Sequence, residues 1–132
     1  LSAAVKERQN GPARNSREVG TYPICGGGLW GPYDTLHAFG TNTRDTQRGI
    51  DGMCLDEEGG IKATAGWPQA GPGPRIYVFD PKGRVIETHP VPCIRPTNCV
   101  FGGPGRSTLY VTSAEGHLFK AETDMTGWAL FP

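Results

Sequence analysis

The stretch Ile-Asp-Gly-Met-Cys-Leu-Asp at residues 50–56 recurs in altered form as Pro-Thr-Asn-Cys-Val-Phe-Gly at residues 96–102. Each copy is followed by a glycine-containing turn and a second apolar run. When the two copies are aligned at their spacing of about 46 residues, the acidic residue Asp51 corresponds to the hydroxyl residue Thr97. A repeat of this length built from short strands is the size of one β-propeller blade. The stretch therefore predicts an all-β fold made of such blades.

In each copy, the two apolar runs and their turn form a first hairpin, and a second hairpin follows it. Residues 75–79 are aromatic and β-branched, and a turn separates them from residues 84–86. In the second copy the corresponding runs are residues 117–121 and 128–131. Two hairpins per repeat predict four antiparallel strands per blade, and no helical spacing of apolar residues is sustained.

The apolar pattern also predicts which residues are buried. Ile61, Ala63 and Ala65 alternate with Lys62 and Thr64, which is typical of a strand with one buried face. We expect packing between adjacent blades from Met53, Leu55, Val100 and Phe101.

The repeat pattern fades toward the amino terminus. Residues 1–32 predict a divergent or flexible leader, although residues 22–25 resemble a further strand, and residues 33–132 predict the last blades of one propeller domain. About two to two and a half blades are too few to close a ring, which needs about four. The chain also begins at Leu1 rather than methionine. We therefore expect the carboxy-terminal portion of a longer protein, with the remaining blades upstream; nothing decides between cytoplasm and periplasm.

Composition narrows the class of partner. Gly and Pro contribute 20 and 12 residues, which fall between strand-like runs and predict turns. Thirteen basic residues balance thirteen acidic ones, so the formal net charge is zero. A neutral chain without a cluster of one sign argues against nucleic acid or an anionic membrane as partner.

The four cysteines lack the Cys-x-x-Cys spacing of a zinc site. Cys54 and Cys99 fall on predicted inner strands, where a free thiol behaves as a small buried hydrophobe. A bridge between Cys93 and Cys99 stays open as an alternative, since their separation lets two strand ends meet.

The candidate site lies at one end of the blades. The strand openings at Asp51 and at Thr97-Asn98 should face the same end as a loop at residues 66–73, which contains Trp67. Charges in the turns at the opposite end, including Asp56, are interpreted as solvated turn residues. Asp51 either caps a turn or is a carboxylate that a hard divalent ion would satisfy. Trp67 is either a pocket wall or a loop anchor.

A resemblance to a known family rests on several ordered motifs. Residues 48–53, 76–83, 96–103 and 108–112 together resemble the last two blades of the gluconolactonase and senescence marker protein (regucalcin) family, and residues 127–132 resemble the end of its bacterial members. The resemblance covers roughly residues 33–132. It implies a six-bladed β-propeller that hydrolyses sugar lactones and related esters with one divalent metal ion, Ca²⁺ or Zn²⁺, in its channel.

The same resemblance assigns roles to residues. The family's metal ligands are a Glu near the amino terminus, an Asn opening a middle blade, and the Asp of the Asp-Gly-Met motif, which is Asp51 here. The implied chemistry is a metal-polarised lactone carbonyl attacked by a bound water, with Asp51 as ligand and proton acceptor. Thr97 and Asn98 either hydrogen-bond sugar hydroxyls or cap the entry to their strand. The alternatives to a lactonase are a non-catalytic propeller that binds calcium or a protein partner, and a chain with no independent function.

Overall fold

The computed structural model of the chain describes residues 3–7, 18–41, 43–129 and 131. In this part the chain forms ten strands in three antiparallel sheets. The strands are β1 (Ala3–Glu7), β2 (Glu18–Pro23), β3 (Asp34–Ala38), β4 (Ile50–Leu55), β5 (Ile61–Trp67), β6 (Ala70–Phe79), β7 (Val85–Pro90), β8 (Pro96–Gly102), β9 (Thr108–Ser113) and β10 (Leu118–Glu122). Helical structure in the described residues is confined to two short 3-10 turns, none of it long enough to cross a membrane. The all-β prediction is confirmed.

The three sheets follow one another along the chain. The first has the order β1-β2-β3, the middle one β4-β5-β6-β7, and the last one β8-β9-β10. The middle sheet has the four strands that the sequence predicts for one blade. The other two have three strands each within the described residues.

The strand register reproduces the sequence repeat. Met53 on β4 pairs with Ala63 on β5, and Cys99 on β8 pairs with Val111 on β9. These are equivalent positions of the two copies once the longer second turn is counted. Both ladders also shift register at their opening, close to Asp51 in one copy and Thr97 in the other. The repeat is therefore one of three-dimensional structure as well as of sequence.

Two hydrophobic clusters hold the sheets together. One joins the first sheet to the middle one, and its buried residues are Val19, Phe39, Ile50, Ile61, Ala63, Ala65, Tyr77 and Phe79. The other joins the middle sheet to the last, through Ile76, Val78, Val91, Cys99, Phe101, Leu109 and Val111. The middle sheet is thus covered on both faces.

This double cover corrects the prediction that β5 has one buried face. Lys62 and Thr64, predicted to face solvent, are 1% and 0% exposed. The reason is that β8 packs across that face, so the Lys62 ammonium lies 5.8 Å from the centre of the Phe101 ring. Asp56, predicted to be a solvated turn residue, is buried as well. Its Oδ2 accepts a hydrogen bond from the Lys62 ammonium.

Val100 is a second correction, because it is 51% exposed. Its neighbours Cys99 and Phe101 point into the core, and successive side chains of a strand point to opposite faces. Met53 and Leu55 do pack against a core cluster, as predicted.

The carboxy-terminal segment does not form the predicted fourth strand of the last sheet. Of residues 128–131 the structure describes all but 130, and it assigns none of them to a strand. Instead Gly127 forms an isolated bridge with Asp56, and the Trp128 amide donates to the Leu55 carbonyl at 2.9 Å. The segment therefore ties the last sheet to the middle one.

Part of the predicted leader belongs to the fold. β2 lies within residues 1–32, pairs with β3, and buries Val19 completely. The strand signal in this part of the sequence is weak because glycines and prolines interrupt the apolar pattern. The boundary at residue 33 stays a prediction, and residues 8–17 lie outside the described part.

Candidate functional site

Asp51 is the second residue of β4, and its side chain is 45% exposed at the strand opening. The register shift just after Ile50 turns the backbone here, and Gly52 follows. The Thr64 hydroxyl holds this bend, since Gly52 N donates to Thr64 Oγ1 at 3.0 Å and Thr64 Oγ1 donates to Gly52 O at 3.1 Å. The bend is thus braced from inside the sheet while the carboxylate stays open to solvent.

Arg48 is the ionic partner of Asp51. Its Nη2 lies 2.6 Å from Asp51 Oδ2, and its side chain is only 14% exposed. Arg48 Nη1 also donates to the carbonyls of Pro96 at 3.1 Å and Gly66 at 3.4 Å. One guanidinium therefore joins the openings of β4 and β8 and the end of β5.

Thr97 and Asn98 lie beside this ion pair, as their predicted position at the opening of β8 requires. A Cβ built on Gly52 would lie 2.3 Å from Asn98 Oδ1 and 2.7 Å from the Thr97 carbonyl. Thr97 Oγ1 is 2.9 Å from Thr112 Oγ1, and Asn98 Oδ1 accepts the Cys99 amide at 2.8 Å. These bonds are the strand-capping kind that the sequence left as one alternative.

The predicted loop at residues 66–73 is instead the end of a hairpin, because β5 and β6 continue to a tight turn at Pro68 and Gln69. Trp67 is half-buried, and its Nε1 donates to the Thr46 carbonyl at 3.2 Å. This bond fastens the hairpin to the segment that leads into Arg48. Trp67 thus has an anchoring contact, although it lies at the same end of the blade as Asp51.

The residues around Asp51 provide few ligands for a divalent cation. Within the described residues no group of three or more His, Cys, Asp or Glu side chains converges to hold a metal. Asp51 supplies one carboxylate, and one of its oxygens already accepts from Arg48. Ca²⁺ takes six to eight oxygen ligands. The described residues therefore do not form a cation site by themselves.

Sequence reasoning missed two features. Arg48 stands three residues before Asp51 in the same motif, and this spacing was the available signal for their ion pair. The buried pair of Asp56 and Lys62 had no comparable signal, since an Asp in a turn and a Lys in a strand are ordinarily solvated. Only the cover provided by β8 buries them.

Comparison with known proteins decides the family. Residues 26–115 match the family model described as SMP-30/gluconolactonase/LRE-like region. The chain belongs to this family. The match contains the Asp51 motif, the whole first copy of the repeat and the first hairpin of the second copy, and it confirms the resemblance drawn from the motifs.

Regucalcins are among the similar curated proteins. The chain is 43% identical to regucalcin of Xenopus laevis over 65 residues, which are 48% of this chain and 20% of that protein. It is 38% identical to regucalcin of Sus scrofa over 69 residues, covering 52% of this chain and 21% of that one. The matched stretch is thus about a fifth of the length of these relatives.

Solved structures share the fold. A luciferin-regenerating enzyme superposes with a TM-score of 0.68 at 23% identity, over 86% of this chain and 40% of that one. Regucalcin of Agrobacterium tumefaciens, described as a calcium-binding protein, superposes with a TM-score of 0.67 at 25% identity, over 85% of this chain and 40% of that one. Both proteins belong to this propeller family, so the consecutive antiparallel sheets are blades of a β-propeller. The chain has the fold of part of one such domain.

Proposed function

We propose that this chain is part of a metal-dependent hydrolase of sugar lactones, in which Asp51 is one of the metal ligands. The observation that carries the proposal is the half-exposed carboxylate of Asp51 at the opening of an inner strand, in the Asp-Gly-Met motif of a family member. In the reaction, water adds to the lactone carbonyl and the ring ester bond breaks to give a hydroxy acid.

The remaining ligands would come from blades outside this chain, because the described residues supply a single carboxylate. Ca²⁺ is the first choice of ion, since one regucalcin is described as calcium-binding, and Zn²⁺ is the second. Thr97 and Asn98 are proposed to face the sugar hydroxyls of the substrate. Trp67 is proposed to form a wall of the same pocket.

A second candidate is a non-catalytic propeller that binds calcium or a protein partner. The Arg48–Asp51 ion pair favours the protein-binding form of this candidate, because a carboxylate oxygen that accepts from a guanidinium is already satisfied without a metal ion. The fold itself hosts more than one function and does not choose between the two.

The deciding experiment compares a protein with all of its propeller blades with the Asp51→Asn variant of the same protein. Calorimetric titration with Ca²⁺ and with Zn²⁺ measures metal affinity, and a gluconolactone-opening assay measures turnover. Glu58→Gln is the matched control, since Glu58 is an exposed carboxylate in the turn at the other end of β4. Thermal unfolding of each protein reports whether a substitution acts through stability.

We expect Asp51→Asn to lose most of the metal affinity and to lower turnover by orders of magnitude, while Glu58→Gln changes neither. Full turnover in Asp51→Asn would reject the role of Asp51. If the unmodified complete protein binds Ca²⁺ but opens no lactone, the non-catalytic candidate is favoured instead. The 132-residue chain alone is expected to bind metal weakly and to open no lactone.

A further inference from the structure

The inner strands β4 and β8 approach each other unusually closely at Gly52. A methyl group at this position would lie 2.7 Å from the Thr97 carbonyl oxygen, a distance that real Cβ atoms essentially never show. The absence of a side chain at Gly52 therefore permits the two backbones to meet. The residues that follow on each strand are brought into contact as a result.

Two cysteines meet at this contact. Cys54 Sγ on β4 lies 3.7 Å from Cys99 Sγ on β8, although the residues are 45 positions apart in the sequence. Cys99 is 4% exposed, while Cys54 is only partly buried. A disulfide bond is about 2.05 Å long. The sulfurs would have to move about 1.7 Å closer to reach this length when an oxidant joins them.

The surroundings make the two thiols unequal. A hydrogen bond with the Cys99 thiol lowers the pKa of Cys54, and the nearby Lys62 ammonium adds to this effect against the opposing effect of burial. The same hydrogen bond, together with burial, raises the pKa of Cys99. Cys54 is thus the thiol that ionises first, and a thiolate is the form that reacts with oxidants. Cys99 keeps its proton and stands next to it.

We propose that Cys54 and Cys99 are a redox site, at which peroxide forms a reversible disulfide that links the inner strands of two adjacent blades. This inference goes beyond the proposed hydrolase activity and stands independently of it, since neither sulfur takes part in lactone chemistry. The bond would fix the spacing between the strand that starts near Asp51 and the strand that starts near Thr97.

The chemistry balances with hydrogen peroxide as the two-electron oxidant. The Cys54 thiolate attacks one peroxide oxygen, the O–O bond breaks, and Cys54 becomes a sulfenic acid while hydroxide leaves. The Cys99 sulfur then attacks the sulfenic sulfur, the S–O bond breaks, and the disulfide forms. The proton lost by Cys99 and the proton released when Cys54 ionised convert the oxygen leaving groups to two waters. A dithiol reductant restores both thiols.

The other cysteines provide matched controls. Cys25 is exposed and Cys93 is half-buried, and the structure describes all four cysteines as free. Burial, the largest cause, raises the pKa of Cys93, so this thiol should react slowly. The bridge between Cys93 and Cys99 that the sequence left open is absent from the structure, because Cys99 faces Cys54 instead.

The test is peptide mapping of the complete protein after brief treatment with hydrogen peroxide and blocking of free thiols with N-ethylmaleimide. Trypsin should release Cys54 in residues 49–62, and Cys93 and Cys99 together in residues 85–106, because the Arg95–Pro96 bond resists cleavage. The Cys93→Ser variant therefore identifies the partner of Cys54 without ambiguity. Melting temperatures before and after oxidation provide a second measurement.

We expect the 49–62 and 85–106 peptides to become linked in the unmodified protein and in the Cys25→Ser and Cys93→Ser variants, and the link to disappear with dithiothreitol. Cys99→Ser should leave Cys54 as a sulfenic acid that dimedone traps. Oxidation should raise the melting temperature by several degrees, because the bond constrains the unfolded chain, and should leave that of Cys54→Ser unchanged. The proposal is overturned if Cys54 and Cys99 both remain free thiols under peroxide that oxidises Cys25, or if the link persists in Cys99→Ser.

Discussion

The middle sheet and the last sheet are two copies of one repeat that differ in their surroundings. Thr64 and Thr112 occupy equivalent positions, and each hydroxyl bonds to the opening of the neighbouring inner strand. Thr64 is completely buried, whereas Thr112 is exposed. The same local structure is therefore an interior brace in one copy and a surface contact in the other.

The difference extends to charge. Asp56 and Lys62 form a buried ion pair in the middle sheet, and Asp56 Oδ1 also accepts the Gly60 amide at 2.7 Å. The equivalent positions in the last sheet hold Gly102 and Tyr110, which contact each other without charge. A repeat thus preserves register, while the neighbouring sheets determine which side chains are buried and what they must be paired with.

The largest expected effect comes from breaking this buried pair. Asp56→Ala should lower the free energy of unfolding by about 3–5 kcal/mol, because it leaves the Lys62 ammonium buried without its counter-charge. Denaturant unfolding measures the change. The control is Asp80→Ala, which removes a similar turn carboxylate whose partner Arg84 is 73% exposed.

The double variant Asp56→Ala, Lys62→Met should recover most of the lost stability, since it removes both charges. A loss from Asp56→Ala no larger than that from Asp80→Ala would show that the pair is not buried in solution. That result would contradict the difference in burial between the two copies of the repeat.

A smaller effect is expected from closing the gap between β4 and β8. Gly52→Ala should destabilise the protein by about 1–3 kcal/mol, because the added methyl group would overlap the Thr97 carbonyl and force the strands apart. The matched control is Gly40→Ala, whose Cβ would have nothing within 4 Å and whose φ is not positive. If the two variants were equally stable, the close contact of the inner strands would not exist.

The two threonines give a direct test of their different settings. Thr64→Val should destabilise by about 1–2 kcal/mol, because the Gly52 amide loses its partner inside the sheet. Thr112→Val should have little effect, since water can replace an exposed hydroxyl bond. Chemical denaturation of both variants checks the prediction, and equal losses would contradict it.

The smallest effect concerns pH. The backbone amide of Arg84, with the Arg84 side chain and the Lys82 amide, lowers the pKa of Asp80 below its ordinary value of 3.8. A carboxyl with a lowered pKa in the folded state stabilises the fold above its unfolded pKa, and this contribution is lost as the pH falls through the folded value. The difference in stability between the unmodified protein and Asp80→Asn should therefore shrink below about pH 4. Unfolding midpoints measured from pH 6 to pH 2 would show it, and a difference that stays constant would contradict the shift.

The site shows how far sequence reasoning reaches. Asp51, Thr97 and Asn98 were placed at the same end of adjacent strands from the repeat alone, and the structure brings them together. Their chemical roles stay predictions. The Arg48 guanidinium that joins these openings was missed, because its contacts reach Gly66 and Pro96, which lie far from it in the sequence.

What the sequence determined by itself was the succession of strands from β4 to β9 and the correspondence between the two copies of the repeat. Strand alternation and turn residues are local signals, and the repeat of about 46 residues makes two independent stretches agree on them. What only the tertiary structure decided was which faces are covered. Lys62 is a charged residue that is covered, with 1% exposure, and Val100 is an apolar residue that is left uncovered, with 51% exposure. A strand pattern says that two faces differ, but burial depends on whether another sheet lies against each face, and that neighbour is distant in sequence.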